Sequence, residues 1–110
     1  MLKDFGAAVE ALDAEKAASF YTEDCVFWDP LGTVVGRDGV QDMYELLRDR
    51  GDKLEIESVF GTRDWGVIEG IWTTTNREGN TVRIRYCDVL QIQDGKISRE
   101  HVYFDGRLLR

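Results

Sequence analysis

The sequence predicts an α+β domain, a curved antiparallel sheet wrapped over N-terminal helices, with elements in the order α-α-β-β-α-β-β-β-β. Three observations point to it. Apolar residues recur at helical spacing only up to Arg50. From residue 53 onward the pattern becomes strand-like, punctuated by turn signals at Asn76-Arg77-Glu78-Gly79-Asn80 and Asp94-Gly95. Helices followed by a four-strand meander segregate into layers, the helices on one face of the sheet. Such a sheet curls into a cone with a closed end and an open mouth.

Each element has its own signature. Phe5, Ala8, Val9 and Leu12 lie at i, i+3, i+4 and i+7 and predict a helix over 3–12. Asp13 is placed to cap a second, short helix running through Tyr21, with Ala17, Phe20 and Tyr21 apolar. Residues 25–29 form a strand that Pro30 ends, because proline cannot donate to a sheet ladder. Leu31-Gly32 turns the chain, and Thr33-Val34-Val35 is short and extended. Asp38 with Gln41 three residues later resembles a capping box. The helix it opens carries Val40, Met43, Tyr44 and Leu47 on one face, and Gly51-Asp52 stops it after Arg50. Strands follow over 53–62, 65–75, 81–93 and 97–105.

A chain of 110 residues is expected to form a single domain spanning residues 1–110, with one core. Its net charge of -7, with cations scattered, argues against nucleic acid and anionic membranes as partners, since both need a basic surface. No apolar run is long enough to span a bilayer. Met1-Leu2-Lys3-Asp4 has neither the basic start nor the apolar stretch of a signal peptide, so a cytoplasmic location is expected. Cys25 and Cys87 lack metal-ligand spacing, and His101 is the only histidine. They read as reduced sheet or core residues, with no metal site. The glycines sit at turns and form no phosphate-binding loop, and no cofactor is expected.

Chemistry is expected where acids fall among apolar residues. Asp29 ends the run Val26-Phe27-Trp28-Asp29-Pro30-Leu31-Gly32, and Asp88 lies within Ile84-Arg85-Tyr86-Cys87-Asp88-Val89-Leu90. An ionised carboxylate is costly to bury without partners, so such a group turns the chain, finds a partner or shifts its pKa. Asp29 before a proline reads either as a turn residue or as a base. Alternation puts Tyr86, Asp88 and Leu90 on one face and Cys87, Val89 and Gln91 on the other. If the first face is interior, Asp88 is buried and neutral; if not, it meets solvent or arginines. Glu100 shares a face with Val102 and Phe104 and is either a third acid of the site or a partner of Arg99 or Arg85 at the rim. By parity His101 lies on the opposite face. Asp105 reads as a structural cap.

The order of elements resembles the nuclear-transport-factor-2-like superfamily, a cone built on this plan. The anchors are Tyr21-Thr22-Glu23-Asp24-Cys25-Val26-Phe27-Trp28-Asp29-Pro30-Leu31-Gly32, Gly36-Arg37-Asp38-Gly39-Val40, and Asp94-Gly95-Lys96-Ile97 with Tyr103-Phe104-Asp105. Nearest are the steroid Δ-isomerase and SnoaL-like polyketide cyclase branches. The resemblance to the isomerases implies that Asp29 is a general base and that Asp88 is a protonated acid donating to a developing oxyanion. It also implies that the position of the other oxyanion donor, a tyrosine, is Phe5, which cannot donate; Tyr21 and Tyr44 occupy supporting positions. The cyclases and limonene-type epoxide hydrolases resemble each other in carrying an acid on the final strand, where this chain has Val102, and no Arg–Asp pair falls in Glu69-Gly70-Ile71-Trp72.

These readings converge on a cofactor-independent enzyme moving a proton on a small apolar carbonyl compound. The alternatives are a cyclase or hydrolase using Asp88 and Glu100, and a non-catalytic dimeric ligand-binding module. Candidate catalytic residues are Asp29, Asp88 and Glu100; candidate substrate contacts are Phe5, Tyr21, Phe27, Tyr44, Tyr86, Val102 and Phe104. A homodimer through the outer sheet face is expected, because Val89 and Tyr103 are otherwise left in water.

Overall fold

A computed structural model of the chain describes residues 1–110. Helices α1 (Leu2–Glu10) and α2 (Ala14–Ala18) come first, followed by β1 (Tyr21–Asp29) and β2 (Gly32–Val35). Helix α3 (Arg37–Asp49) leads into β3 (Lys53–Gly61), β4 (Trp65–Thr75), β5 (Thr81–Gln93) and β6 (Lys96–Tyr103), and a 3₁₀ turn spans Gly106–Leu109. The strands form one six-stranded sheet in the order β2-β1-β6-β5-β4-β3.

The expected α+β architecture is present, with one difference within the sheet. β1 pairs with β6 in parallel, whereas every other neighbouring pair is antiparallel. The connection between β1 and β6 spans most of the chain, so no hairpin constrains their relative direction.

Helix α1 buries Phe5, Ala8 and Val9 against the concave side of the sheet, and α2 is capped by Asp13, whose carboxylate accepts from Lys16 N at 3.2 Å. Each large side chain so buried stabilises the fold by roughly 1.5–3 kcal/mol. Tyr21 was expected to end α2 but instead opens β1, opposite Ile97 of β6. Strand pairing outweighs its helical periodicity there. The capping box expected at Asp38 and Gln41 does not form. Gly36, at φ 93°, takes the N-cap, its N–H bonded to Cys25 O at 2.8 Å, and Gln41 donates to Glu45 instead. The last strand ends at Tyr103, two residues early, because Asp105 caps the 3₁₀ turn by accepting from Arg107 N at 3.0 Å.

Strand alternation sorts the side chains as expected. Ile84, Tyr86, Asp88, Leu90 and Ile92 are buried on the concave face, while Cys87 and Val89 are only half-buried on the convex one. Trp28, His101 and Tyr103 cluster on that convex face, with ring centroids 5.5–6.4 Å apart and Tyr103 half-exposed. Both cysteines are unpaired. No helix is long and apolar enough to cross a membrane.

Candidate functional site

The space between the concave face, α3 and the 3₁₀ turn is a cavity of about 260 Å³. Its inner wall is Phe27 of β1, Ile68 and Trp72 of β4, Tyr86 and Asp88 of β5, and Glu100 and Val102 of β6, with Phe104 just beyond that strand. Met43, Tyr44 and Leu47 of α3 close the opposite side. The mouth is marked by exposed residues, among them Leu31, Leu46, Arg50 and Thr75. Phe104 and Trp72 pack edge to face at 5.3 Å and stiffen one wall.

Asp88 and Glu100 meet at the base of this cavity, with only 5% and 2% of their surfaces exposed. Register explains the meeting: Asp88 lies opposite Val102 and Leu90 opposite Glu100, so the two acids sit diagonally on adjacent strands and one face. Burial, and then the Glu100 charge, push the Asp88 carboxyl well above the usual carboxylate range. Burial also raises Glu100, opposed by hydrogen bonds from Asp88 and Tyr21. Asp88 Oδ1 is buried and no donor reaches it. Both shifts have the direction expected of two buried acids that share a proton, with Asp88 as the donor toward the Glu100 carboxylate.

Two tyrosines support that charge. Tyr21 Oη donates to Glu100 Oε1, and Tyr21 and Tyr44 hydroxyls lie 3.0 Å apart. Because Tyr21 has one proton and spends it on Glu100, Tyr44 must be the donor in the second bond. The order Tyr44 to Tyr21 to Glu100 follows by counting. Burial pushes both phenols well above the ordinary tyrosine pKa, so both stay protonated. Tyr86 also lines the cavity, its hydroxyl buried without a partner and its pKa raised by burial and then by Asp88.

Asp29 serves the turn and lines the cavity together. Its Oδ1 accepts from Leu31 N at 2.7 Å and Gly32 N at 3.2 Å, fixing the β1–β2 hairpin. The residue is half-buried near the mouth, and burial raises its pKa against those two N–H groups.

Asp29, Asp88, Glu100, Phe27, Tyr44, Tyr86, Val102 and Phe104 therefore share one cavity. Phe5 and Tyr21, both expected to touch substrate, do not line it. Phe5 is fully buried edge-on to Phe20 and Tyr21, at 5.7 and 5.6 Å, and Tyr21 bonds to Glu100 without reaching the space. His101 lies outside, against Trp28. Sequence reasoning missed Asp52, taken only as a helix stop. Its carboxylate accepts from Trp72 Nε1 at 2.9 Å, Thr74 Oγ1 at 3.0 Å and Arg50 Nη2 at 2.7 Å, and Arg50 and Thr74 both line the cavity. Only the β3–β4 register, which sets Lys53 opposite Thr73, brings Asp52 to that wall. No group of three or more His, Cys, Asp or Glu side chains is arranged to hold a metal ion.

Comparison with known structures places the fold. A hypothetical protein with a ketosteroid isomerase-like fold from Catenulispora acidiphila, in complex with trimethylamine, superposes with a TM-score of 0.81 at 13% identity, covering 97% of this chain and 86% of the other. SalBIII, an epoxide hydrolase/cyclase-like enzyme of pyran ring formation in the polyether salinomycin, gives 0.80 at 18% identity over 96% and 88%. TerC, co-crystallized with polyporic acid, gives 0.78 at 21% identity over 97% and 93%. Among curated proteins there is no significant match. At these identities the structures establish the fold alone; the sequence itself carries the family, for residues 2–100 match the SnoaL-like domain, and the chain belongs to that family.

Proposed function

We propose that the protein is a cofactor-independent enzyme that moves a proton on a small apolar carbonyl compound, as in an isomerase. One observation carries this reading: Asp88 and Glu100 lie buried side by side at the base of an apolar cavity, an arrangement that favours a single shared proton. Asp88 gives its proton to the carbonyl oxygen while a carboxylate removes a proton from the adjacent carbon. If Glu100 is that carboxylate, the C–H proton arrives as the Asp88 proton leaves. The product is then a neutral enol, and the pair keeps its single charge. This balance matters, because a second charge in so dry a site is very costly. The chain from Tyr44 through Tyr21 holds Glu100 in place during the exchange. Asp29, the base that the resemblance implies, is the other candidate acceptor, half-buried and with one oxygen engaged in its turn. Ketonisation at another carbon returns the proton and completes the isomerisation.

The test is deuterium uptake from D₂O into cyclic ketones and enones, followed by NMR. The wild type exchanges or isomerises at least one of them. Glu100→Gln and Asp88→Asn lower that rate by ~10²–10⁴-fold, the usual contribution of general acid–base groups, while ligand binding survives. Asp29→Asn separates the two bases: a comparable loss there, with Glu100→Gln near wild type, assigns the proton to Asp29. Unchanged rates in all three variants sink the reading.

A second reading rests on the same pair. Asp88 could protonate a ring oxygen while Glu100 accepts the proton of an attacking hydroxyl or water, the chemistry of a cyclase or hydrolase. Similarity to SalBIII supports it. Oxygen-18 from water enters the product only if hydrolysis occurs.

The convex face, with Trp28, His101 and Tyr103 half-buried to half-exposed, supports a homodimer through the sheet. Two unpaired cysteines support a reducing, cytoplasmic setting.

A further inference from the structure

The cavity is smaller than the ~300–1,000 Å³ common for sites that enclose a drug-sized ligand, so a larger guest must leave part of itself at the mouth. That mouth holds the one cation of the cavity wall, Arg50. Its guanidinium is held by Asp52, with Nη2 2.7 Å from Oδ2. Asp52 is itself pinned, its side chain only 4% exposed and held by Trp72 Nε1 and Thr74 Oγ1. One N–H of the five is spent in this contact, and the planar group is ordered before any ligand arrives.

The groove beside the mouth carries further arginines. A shallow groove continues from the mouth over Leu31 and Leu109 and is lined by Arg77, Arg107 and Arg110 with no acid among its wall residues. Arg107 is tied to Asp105, but Arg77 makes no ion pair. Arg50 and Arg107 each already face an acid and Asp29 lies near the mouth, so Arg77 and Arg110 are the arginines of this rim without an ion pair, and they add a weak attraction for anions.

We propose that Arg50 anchors a carboxylate on the substrate: the substrate is a small apolar carbonyl compound whose body fills the cavity and whose carboxylate pairs with Arg50 at the mouth. The substrate class rests on the acid–base reading above. Arg50 at the rim and Asp88 at the base fix the two ends of the guest, so the reacting carbonyl points inward. Arg77 adds long-range attraction and no direct contact.

The test uses a matched pair of probes, 1-naphthaleneacetic acid and its neutral isostere 1-naphthaleneacetamide, titrated by calorimetry. The wild type binds the acid about tenfold more tightly than the amide, as a charge-assisted hydrogen bond requires. Arg50→Gln brings that ratio near one while the amide still binds, which also reports that the cavity is still folded. Arg50→Lys keeps part of the preference, and Arg77→Gln keeps most of it. Equal binding of both probes by the wild type, or an undiminished preference in Arg50→Gln, overturns the anchor. So does a larger loss in Arg77→Gln than in Arg50→Gln, which moves the contact to the outer groove. Amide binding without discrimination sinks the anchor and leaves the proton-transfer reading to the deuterium experiment. An anchor confirmed without deuterium exchange sinks that reading alone. Failure of both probes to bind overturns the anchor.

Discussion

Asp88 is a carboxyl that the folded protein prefers neutral, and this has a measurable sign. Its ordinary pKa is 3.8 and burial raises it well above that in the native state. Below the ordinary value both folded and unfolded chains hold the proton, and its contribution to stability is fully present. As pH rises from there through the raised native value, the unfolded chain releases its proton first, so stability falls. Asp88→Asn keeps the shape and a donor toward Glu100 but does not titrate. Chemical denaturation across acid to neutral pH should show this loss in the wild type and a flatter profile in Asp88→Asn. A profile identical in the two proteins places the proton elsewhere. Part of this was legible in the sequence: period-two alternation grouped Asp88 with Tyr86 and Leu90, and Glu100 with Val102 and Phe104, but left open which face was interior. The meeting of the two acids was not legible, since it depends on the β5–β6 register. The resemblance placed Tyr21 and Tyr44 in supporting positions, but their hydrogen bond was not legible, because they lie 23 positions apart in the chain and meet only across α3 and β1.

At the scale of elements, position on the sheet decides what a residue can be. Gly70 faces Tyr86 across β4 and β5, and a Cβ there would lie 2.3 Å from Glu55 O and 2.7 Å from the Tyr86 hydroxyl. The backbone of β3 cannot withdraw without breaking its ladder to β4. Gly70→Ala is expected to destabilise the fold by ~1–3 kcal/mol, the range for overpacking a tight site, and to displace Tyr86 into the cavity. Thermal melts measure the first effect and weaker naphthaleneacetamide binding the second. A stable variant with intact binding shows that the strands yield. Local sequence signals were reliable for helix faces and for the turn at Asp94-Gly95, and less so where a tertiary contact competed. Tyr21 fitted a helix by spacing and became a strand through Ile97; Asp38 fitted a cap and lost it to Gly36.

For the whole molecule, the two faces of the sheet divide the labour. The concave side holds the acids in an apolar cavity, and the convex side leaves Tyr103 half-exposed beside Trp28 and His101. Sedimentation velocity is expected to find a dimer for the wild type and a monomer for Tyr103→Glu, which sets a charge on that surface. A wild type that sediments as a monomer contradicts the assembly. The sequence indicated two faces through its alternation, but not that β1 and β6 run side by side in the same direction.

That parallel pairing has a kinetic consequence. β6 lies between β1 and β5, so before it is in place the sheet is two separate pieces, β1–β2 and β3–β5. The strand that unites them comes late in the order of synthesis and brings Glu100 with it. A growing chain on the ribosome can therefore form helices and hairpins early, but its barrier to the native state falls only after residues 96–103 emerge, with the loop-closure entropy of a long intervening segment to be met in that step. Until then, the open edges of both pieces are available to other chains.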